Sequence, residues 1–299
     1  MKRTFFGKTI FGFLMVFFAI IVASCPMDGR GDFSPSRYLS TEEKDEIVAT
    51  FRHIGLEHNV LLTAFYNAVG QIAPRSLTET DVFYQFFGCL DNAIIFKLPV
   101  TGRIARSQNN PDTLVSVMID NDLVCDPSAR YMFLIEELLD NPLDDFDEMI
   151  AAITVIQHQS LNTLTGIELD KFMAFAETAK SSLLFWTVNI EALDNMEFAN
   201  VINPDTTFAN ARIFSNVRRW WRENVARIAM SAASDAAGAA AGAGIGAAIG
   251  SSVPAVGTAV GASIGAVIAG AASSEAGWRT GRLSIVIPLT QIENDIRSR

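Results

Sequence analysis

Apolar side chains recur every three or four residues from Ser40 to about residue 210, which is the repeat of helices that bury one face. The first helix opens on a capping-box sequence, Ser40-Thr41-Glu42-Glu43. Pro74 ends it, and a second helix, rich in aromatic residues, is predicted from about Thr80 to Phe96. The predicted buried face of the first helix consists of Ile47, Phe51, Ile54, His58, Leu61, Phe65 and Val69.

The repeat breaks between residues 98 and 127, where LPVTGRIARSQNNPDT is loop-like and LVSVMI fits a short strand or a buried turn. Helices resume near Ser128, Pro142 suits the first turn of another, and Thr165-Gly166-Ile167-Glu168 is a second capping box. We therefore predict an all-α fold, with a helical bundle domain over residues 41–215 and one small irregular insertion. The helix after the second capping box is predicted to bury Phe172, Phe175, Ala179, Leu183, Trp186 and Ile190.

Near the C-terminus, glycine occupies every fourth residue in two successive runs. Charged residues are absent between Asp235 and Glu275, and Ser251-Ser252-Val253-Pro254 divides this segment in two. Glycine inside a helix costs about 1 kcal/mol relative to alanine, so the repeat is explained if another helix packs against the bare backbone. The glycines are Gly238, Gly242, Gly246 and Gly250, then Gly257, Gly261 and Gly265. We predict a glycine-zipper hairpin within residues 216–275, with arms at about 232–251 and 255–273, and a C-terminal tail over 276–299.

Tryptophan and arginine flank the hairpin on both sides, a composition typical of a membrane interface. Each arm is long enough to cross the hydrocarbon layer of a bilayer, so we expect membrane association, with zippers mated between protomers as one version. Alanine and glycine are only weakly apolar, so a water-soluble hairpin packed against the bundle is the alternative. The predicted interface residues are Arg218, Arg219, Trp220, Trp221, Trp278 and Arg279.

The N-terminus has a basic start, an apolar stretch and small residues directly before a cysteine, Val22-Ala23-Ser24-Cys25. This arrangement resembles the lipobox of bacterial lipoproteins. The resemblance implies a signal peptide over residues 1–24, lipid such as palmitate on Cys25, a flexible tether over 25–40, and a place on the extracytoplasmic side of a bacterial membrane, the outer one by expectation. An ordinary signal peptide with an unrelated cysteine, or an uncleaved anchor helix, would explain the same residues.

The net charge and the motifs of the sequence limit the classes of function that this protein can have. A net charge of −10 argues against nucleic-acid binding. The sequence has no HExxH, G-x-S-x-G or Walker A motif, and His53, His58 and His158 are interpreted as ordinary core or surface histidines. We therefore predict no enzyme activity, metal or cofactor. Cys89 and Cys125 could pair in an oxidising compartment or remain two buried free thiols.

Two further resemblances follow from these segments. Lipobox and glycine hairpin together are similar to the glycine-zipper outer-membrane lipoproteins of bacteria, over the signal and about residues 236–272 only. The layout also resembles uncharacterised secreted helical proteins of gut-type bacteria, which have no established activity, so no functional residue transfers. That likeness rests on Ile54-Gly55-Leu56-Glu57-His58-Asn59, Ser181-Ser182-Leu183-Leu184-Phe185-Trp186, Trp220-Trp221 and Asp235-Ala236-Ala237-Gly238.

The sequence thus favours a non-enzymatic, lipid-anchored envelope lipoprotein whose hairpin mediates membrane association or self-association. One alternative is a membrane-active effector, since the hairpin resembles the Gly/Ala-rich membrane-active segment of some bacteriocins. The other is a soluble helical binding module in which the hairpin only packs.

Overall fold

The computed structural model describes residues 39–71, 93–97, 113–195, 211–253, 257–280 and 284–298. Residues Tyr38–Arg299 form one compact unit. The described ranges hold eight helices and one pair of strands, so the prediction of an all-α fold is confirmed, with a small strand pair added. In chain order the elements are α1 (Thr41–Gln71), β1 (Ala93–Lys97), α2 (Leu114–Asp120), α3 (Asp126–Asp140), α4 (Phe146–Ser160), α5 (Gly166–Asn195), α6 (Ala211–Ser251), α7 (Gly257–Thr280), β2 (Ser284–Pro288) and α8 (Leu289–Arg297).

Helix α1 starts at the predicted capping box. The Ser40 N–H donates to Oε2 of Glu43 at 2.8 Å, and the Glu43 N–H donates to Oγ of Ser40 at 3.2 Å. These bonds satisfy two backbone donors that a helix start otherwise leaves free. From the predicted buried face, Phe51, Ile54, His58 and Leu61 are buried.

The segment LVSVMI is helical, so the prediction of a strand or turn there is wrong. It forms most of α2, whose buried residues Leu114, Val115 and Met118 lie on one helical face. Two hydrogen bonds cap the helix start: the Ser116 N–H donates to Oγ1 of Thr113 at 3.0 Å, and the Leu114 N–H donates to Oε1 of the buried Glu136 at 2.8 Å. A long-range cap of this kind leaves no local signal in the sequence.

Two predicted helix starts also differ from the structure. Helix α4 begins four residues after Pro142, the predicted first helical position, because the Asp145 carboxylate accepts hydrogen bonds from the N–H of Asp147 at 2.9 Å and from that of Glu148 at 3.3 Å. The capping box expected at Thr165 and Glu168 is not formed. Glu168 instead accepts from the Ser128 hydroxyl of α3 and from Lys171, three residues further along α5.

Strand β1 pairs antiparallel with β2, with Ala93 opposite Pro288 and Lys97 opposite Ser284. The helix predicted from Thr80 to Phe96 is therefore wrong over residues 93–96, and its earlier part lies outside the described residues. The tail predicted over 276–299 includes the end of α7, β2 and α8. Isoleucine and valine suit strands, and Ile285 and Ile287 of β2 are buried.

Helices α6 and α7 form the predicted hairpin, and its first arm is much longer than expected. The predicted domain boundary between residues 215 and 216 falls inside the continuous helix α6. Helix α6 packs along α7 and α5, and α1 packs on both α5 and α7. The hairpin is thus at the centre of the same compact unit as the bundle.

Candidate functional site

The glycines of the two hairpin arms face each other at the line where α6 crosses α7. A Cβ added at Gly250 would lie 2.5 Å from the carbonyl oxygen of Gly257, and one added at Gly246 would lie closer still to that of Gly261. Gly242 stands against Gly265 in the same way. Such contacts recover dispersion energy and weak Cα–H···O bonds that offset the poor helix propensity of glycine.

The remaining predicted zipper glycines have related roles. Gly238 faces Ser273 and Ala269, where a Cβ would lie 2.5 Å from the Ala269 carbonyl oxygen. Gly257 also has a positive φ of 73°, the left-handed conformation that starts α7 after the turn. The backbone of each hairpin arm fills the glycine groove of the other arm within the same chain. A zipper mated between protomers, one version of the expected self-association, would need these grooves to be free.

Helix α6 is buried over residues 231–243, including eight alanines that are at most 1% exposed. It packs mainly on α7 and α5, and it also contacts β2 and α3. Only small side chains let several elements approach one helix so closely. One described helical segment, Gly257–Ser274 in α7, is long and apolar enough to cross a membrane, and 72% of it is buried inside the protein. The eight alanines are Ala232, Ala233, Ala236, Ala237, Ala239, Ala240, Ala241 and Ala243.

A polar cluster, formed by His58, Asn59, Ser182, Trp186 and Asp235, lies at the base of the hairpin where α1, α5 and α6 meet. Oδ2 of Asp235 accepts a short hydrogen bond from the Ser182 hydroxyl and another, of 3.2 Å, from Nε1 of Trp186. Nε2 of His58 lies 3.7 Å from the same oxygen. His58, Ser182, Trp186 and Asp235 are each 0% exposed.

Hydrogen bonds assign the tautomer of His58. The Asn59 side-chain amide donates to the carbonyl oxygen of Ser181 at 2.9 Å, so its own oxygen points to Nδ1 of His58, at 3.1 Å. Nδ1 therefore carries the proton, and Nε2 presents a lone pair toward Asp235.

Both titratable groups of the polar cluster are shifted toward their neutral forms. Burial raises the pKa of Asp235 to about 7, and the interactions of its carboxyl group with Ser182, Ser274 and Trp186 only partly oppose it. Burial lowers the pKa of His58 to about 4. Oδ1 of Asp235 has no hydrogen-bond partner among the described residues, which adds to the cost of charging the carboxyl group.

This geometry differs from a nucleophile–base–acid triad. Such a triad needs the serine hydroxyl bonded to the histidine, whereas Ser182 donates to Asp235 and substrate has no route to either fully buried group. Among the described residues, no three histidine, cysteine or acidic side chains are grouped as metal ligands. The polar cluster instead ties three helices together.

Glycine also makes room for the polar cluster. A Cβ at Gly55 would lie 2.6 Å from the carbonyl oxygen of Glu177, and one at Gly270 would lie 3.1 Å from Cδ2 of His58. The polar cluster is not among the sites predicted from the sequence. The signals were present in His58 on the predicted buried face and in Asp235 as the last charge before the uncharged segment.

The other predicted site residues are placed as follows. Cys25 and Cys89 lie outside the described residues, and Cys125 is an exposed free thiol, so the Cys89–Cys125 disulfide is not formed. Arg218, Arg219 and Trp220 belong to α6, and Trp278 and Arg279 to α7.

The expected membrane-interface role of Trp221 is not supported. Its ring is fully buried, and Nε1 donates to the Leu143 carbonyl oxygen at 2.9 Å. The ring packs edge-on against Phe146, with centroids 5.5 Å apart. Trp221 therefore attaches α6 to the start of α4.

Comparisons with protein-family models, curated proteins and solved structures find no match for this chain. The class that the fold defines is thus described by its own features: an all-helical protein built around a buried glycine- and alanine-rich hairpin, with a neutral polar cluster at the hairpin's base.

Proposed function

We propose that this protein is a non-enzymatic lipoprotein of the bacterial envelope, with lipid on Cys25 and its helical unit held on the extracytoplasmic side of the membrane, the outer one by expectation. The observation that carries the proposal is the run of small residues before Cys25, directly after a basic and apolar N-terminal stretch.

Within this proposal, the body of the hairpin serves as the core of the helical unit. Its glycine faces pack on each other, and α6, whose middle is buried, packs mainly on α7 and α5. The anchor is then the lipid, since two or more acyl chains on one cysteine hold a protein stably at a bilayer. We do not propose self-association through the zipper, because the glycine grooves are filled within one chain.

The non-enzymatic part rests on the polar cluster. The Ser182 hydroxyl donates to Asp235 rather than to His58, so these residues do not form the serine–histidine hydrogen bond that activates a nucleophile. Burial keeps the carboxyl and the imidazole near their neutral forms, which suits a structural contact between helices.

The test is the chemistry of the mature N-terminus. The protein isolated from a bacterial membrane should begin at Cys25 and carry the mass of attached acyl chains, and a Cys25→Ala variant should appear in the soluble fraction after carbonate extraction. A Cys125→Ala variant is the matched control and should stay with the membrane. An unmodified Cys25, or membrane retention of Cys25→Ala, would contradict the proposal.

A further inference from the structure

His58 and Asp235 face each other without a hydrogen atom between them. Nε2 of His58 lies 3.7 Å from Oδ2 of Asp235, which is beyond hydrogen-bond distance. Asn59 keeps the imidazole proton on Nδ1, so the lone pair of Nε2 points to an oxygen that already accepts from Ser182 and Trp186. The proton of the neutral carboxyl group is therefore on Oδ1, the oxygen without a hydrogen-bond partner among the described residues. Two facing lone pairs explain why the gap stays open.

Loss of the proton from Asp235 would place a negative charge opposite this lone pair. A buried carboxylate is costly unless it gains further donors. A neutral imidazole carries its proton on either nitrogen, and its partners decide which one. If the proton moves from Nδ1 to Nε2, His58 becomes a third donor to Oδ2 while it stays neutral. Hydrogen bonds from N–H groups to a charged carboxylate are about 2.7–2.9 Å long, so an approach of about 1 Å closes the gap.

The same change would reverse what Asn59 must offer to His58. Nδ1 would become an acceptor, so the Asn59 amide would turn to present its N–H group instead of its oxygen. In the structure that N–H group donates to the carbonyl oxygen of Ser181 at 2.9 Å, a bond that joins α1 to α5. After the turn, the Asn59 oxygen would face the Ser181 carbonyl oxygen, and two acceptors form no hydrogen bond. The charge of Asp235 on α6 is thus linked to a contact between two other helices.

We propose that loss of the Asp235 proton moves the His58 proton from Nδ1 to Nε2, turns the Asn59 amide and breaks its hydrogen bond to α5. The polar cluster is then a pH-sensitive contact, in which one proton on α6 decides how firmly α1 is bound to α5. Helix α1 is the first described helix after the predicted tether, so this switch acts on the helix that the tether precedes. The switch does not depend on lipid at Cys25.

The pH at which this switch occurs is set by Asp235. Burial raises the pKa of its carboxyl group to about 7, and Ser182, Ser274 and Trp186 oppose that rise. Burial lowers the pKa of His58 to about 4, so the imidazole stays uncharged over the same range. We therefore expect the tautomer of His58 to change near pH 7.

The groups that face Asp235 are polar and uncharged: His58 of α1, Ser182 and Trp186 of α5, and Ser274 of α7. Glu177 of α5 is paired with Lys180 at 2.6 Å. The other buried acidic side chains of the described elements are Glu57 of α1, Glu136 of α3, Asp170 of α5 and Asp295 of α8. None of these charged side chains is among the causes of the pKa shifts of Asp235 and His58. Asp235 therefore loses its proton without a charged partner among the described residues.

The experiment uses the full chain in detergent micelles, with histidine labelled by ¹⁵N, and records imidazole spectra from about pH 5.5 to about pH 8.5. The ¹⁵N shift of a protonated ring nitrogen differs from that of a nitrogen with a lone pair, so the spectra report the tautomer directly. The His58 signals are those that disappear in His58→Gln. We expect the Nδ1–H tautomer at the acidic end, the Nε2–H tautomer at the alkaline end, and a midpoint near pH 7.

A second signal follows the hydrogen bond between α1 and α5. The carbonyl ¹³C shift of Ser181 responds to the N–H group that Asn59 donates, so it should change over the same pH range as the His58 tautomer. A change of tautomer without a change at Ser181 would overturn the proposed turn of the Asn59 amide.

Substitutions on α5 and α6 separate Asp235 from other titrating groups. The amide of Asp235→Asn does not ionise, so His58 should keep the Nδ1–H tautomer at every pH. Ser182→Ala removes a donor to the carboxylate, so the midpoint should rise by about 1–2 pH units. Thr187→Val is the matched control, because it removes another buried hydroxyl of α5, one that donates to the Leu183 carbonyl oxygen at 2.6 Å, and it should leave the midpoint unchanged. Circular dichroism checks that each variant is folded.

Three results would overturn the switch. The first is a wild-type His58 that keeps the Nδ1–H tautomer up to about pH 8.5. The second is protonation of both ring nitrogens near pH 7, which indicates an ion pair with Asp235. The third is a change of tautomer in Asp235→Asn like that of the wild type, which shows that another group drives it. If Ser182→Ala does not fold, the wild-type and Asp235→Asn spectra decide between the outcomes by themselves.

Discussion

Separate substitutions of Asp235 and His58 should give opposite dependences of stability on pH. Asp235 keeps its proton in the folded state up to about pH 7, whereas its ordinary pKa is 3.8. His58 stays unprotonated in the folded state down to about pH 4, whereas its ordinary pKa is 6.5. Burial is the main cause of each shift, and neither shift depends on the charge of the other residue.

The sign follows from which state binds more protons. Between pH 4 and 7 the folded state holds the Asp235 proton that the unfolded chain has lost, so Asp235 makes stability fall as pH rises. Between pH 6.5 and 4 the unfolded chain protonates His58 and the folded state does not, so His58 makes stability fall as pH drops. Each slope is about 1.4 kcal/mol per pH unit, and in the wild type the two cancel between pH 4 and 6.5.

Removing one partner should leave the slope of the other uncompensated. Asp235→Asn should lose about 3 kcal/mol of unfolding free energy, measured against the wild type, as pH drops from 6.5 to 4.5, because the variant lacks the Asp235 slope that offsets His58. His58→Gln should lose about 3 kcal/mol, measured in the same way, as pH rises from 4.5 to 6.5, because the variant lacks the His58 slope that offsets Asp235. Glutamine retains an N–H donor for the Asn59 oxygen.

The assay is urea unfolding followed by circular dichroism at four pH values from 4.5 to 7.5. Differences between variant and wild type remove the contribution of other titrating groups, notably the buried Glu136, whose pKa burial raises to about 7. Parallel pH profiles for the two variants would refute the neutral pair and indicate an ion pair between imidazolium and carboxylate.

Three further substitutions test the packing, and alkylation tests the free thiol. Gly246→Ala should destabilise the protein by about 1–3 kcal/mol in urea unfolding, because the added methyl group meets a facing backbone carbonyl. Gly244→Ala, beside the flexible end of Lys171, should stabilise the protein by about 0.5–1 kcal/mol, and equal effects of the two substitutions would contradict the zipper geometry. Trp221→Phe should cost about 1–3 kcal/mol, since the fully buried Trp221 side chain loses its hydrogen bond to the Leu143 carbonyl oxygen, and an unchanged unfolding free energy would place this indole in water. Burial is the main cause that raises the pKa of Cys125 above its ordinary value of 9.0, and the nearby Glu168 is the second cause. The rate of Cys125 alkylation, followed by peptide mass spectrometry, should therefore still increase as pH passes 9. A thiol that resists alkylation would contradict its exposure.

The hairpin was predictable because its signal is local. Glycine at every fourth position makes sense only where a helix is approached closely, and a proline in the middle places the turn. The capping box at Ser40 is local in the same way. The pairing of β1 with β2 is not, because the partners are about 190 residues apart, and apolar residues in a short segment fit helix and strand alike.

The surroundings of the hairpin were harder to predict from sequence. Alanine-rich helices have the same composition whether lipid or other helices surround them, so the enclosure of α6 within the bundle required the structure. The same holds for Trp221, whose neighbour Phe146 is 75 residues away. The polar cluster joins single residues from three distant helices, and no spacing rule connects His58 with Ser182 and Asp235.

The four-residue glycine repeat leaves the alignment of the two hairpin arms partly undetermined. If one arm slid by a helical turn, about 6 Å, glycine would again face glycine at three places. Those places would be Gly238 with Gly265, Gly242 with Gly261, and Gly246 with Gly257. The zipper by itself therefore permits more than one alignment. The short turn limits such a slide, and the hydrogen bonds of Asp235 with Ser182 and Trp186 fix the position of α6 along α5.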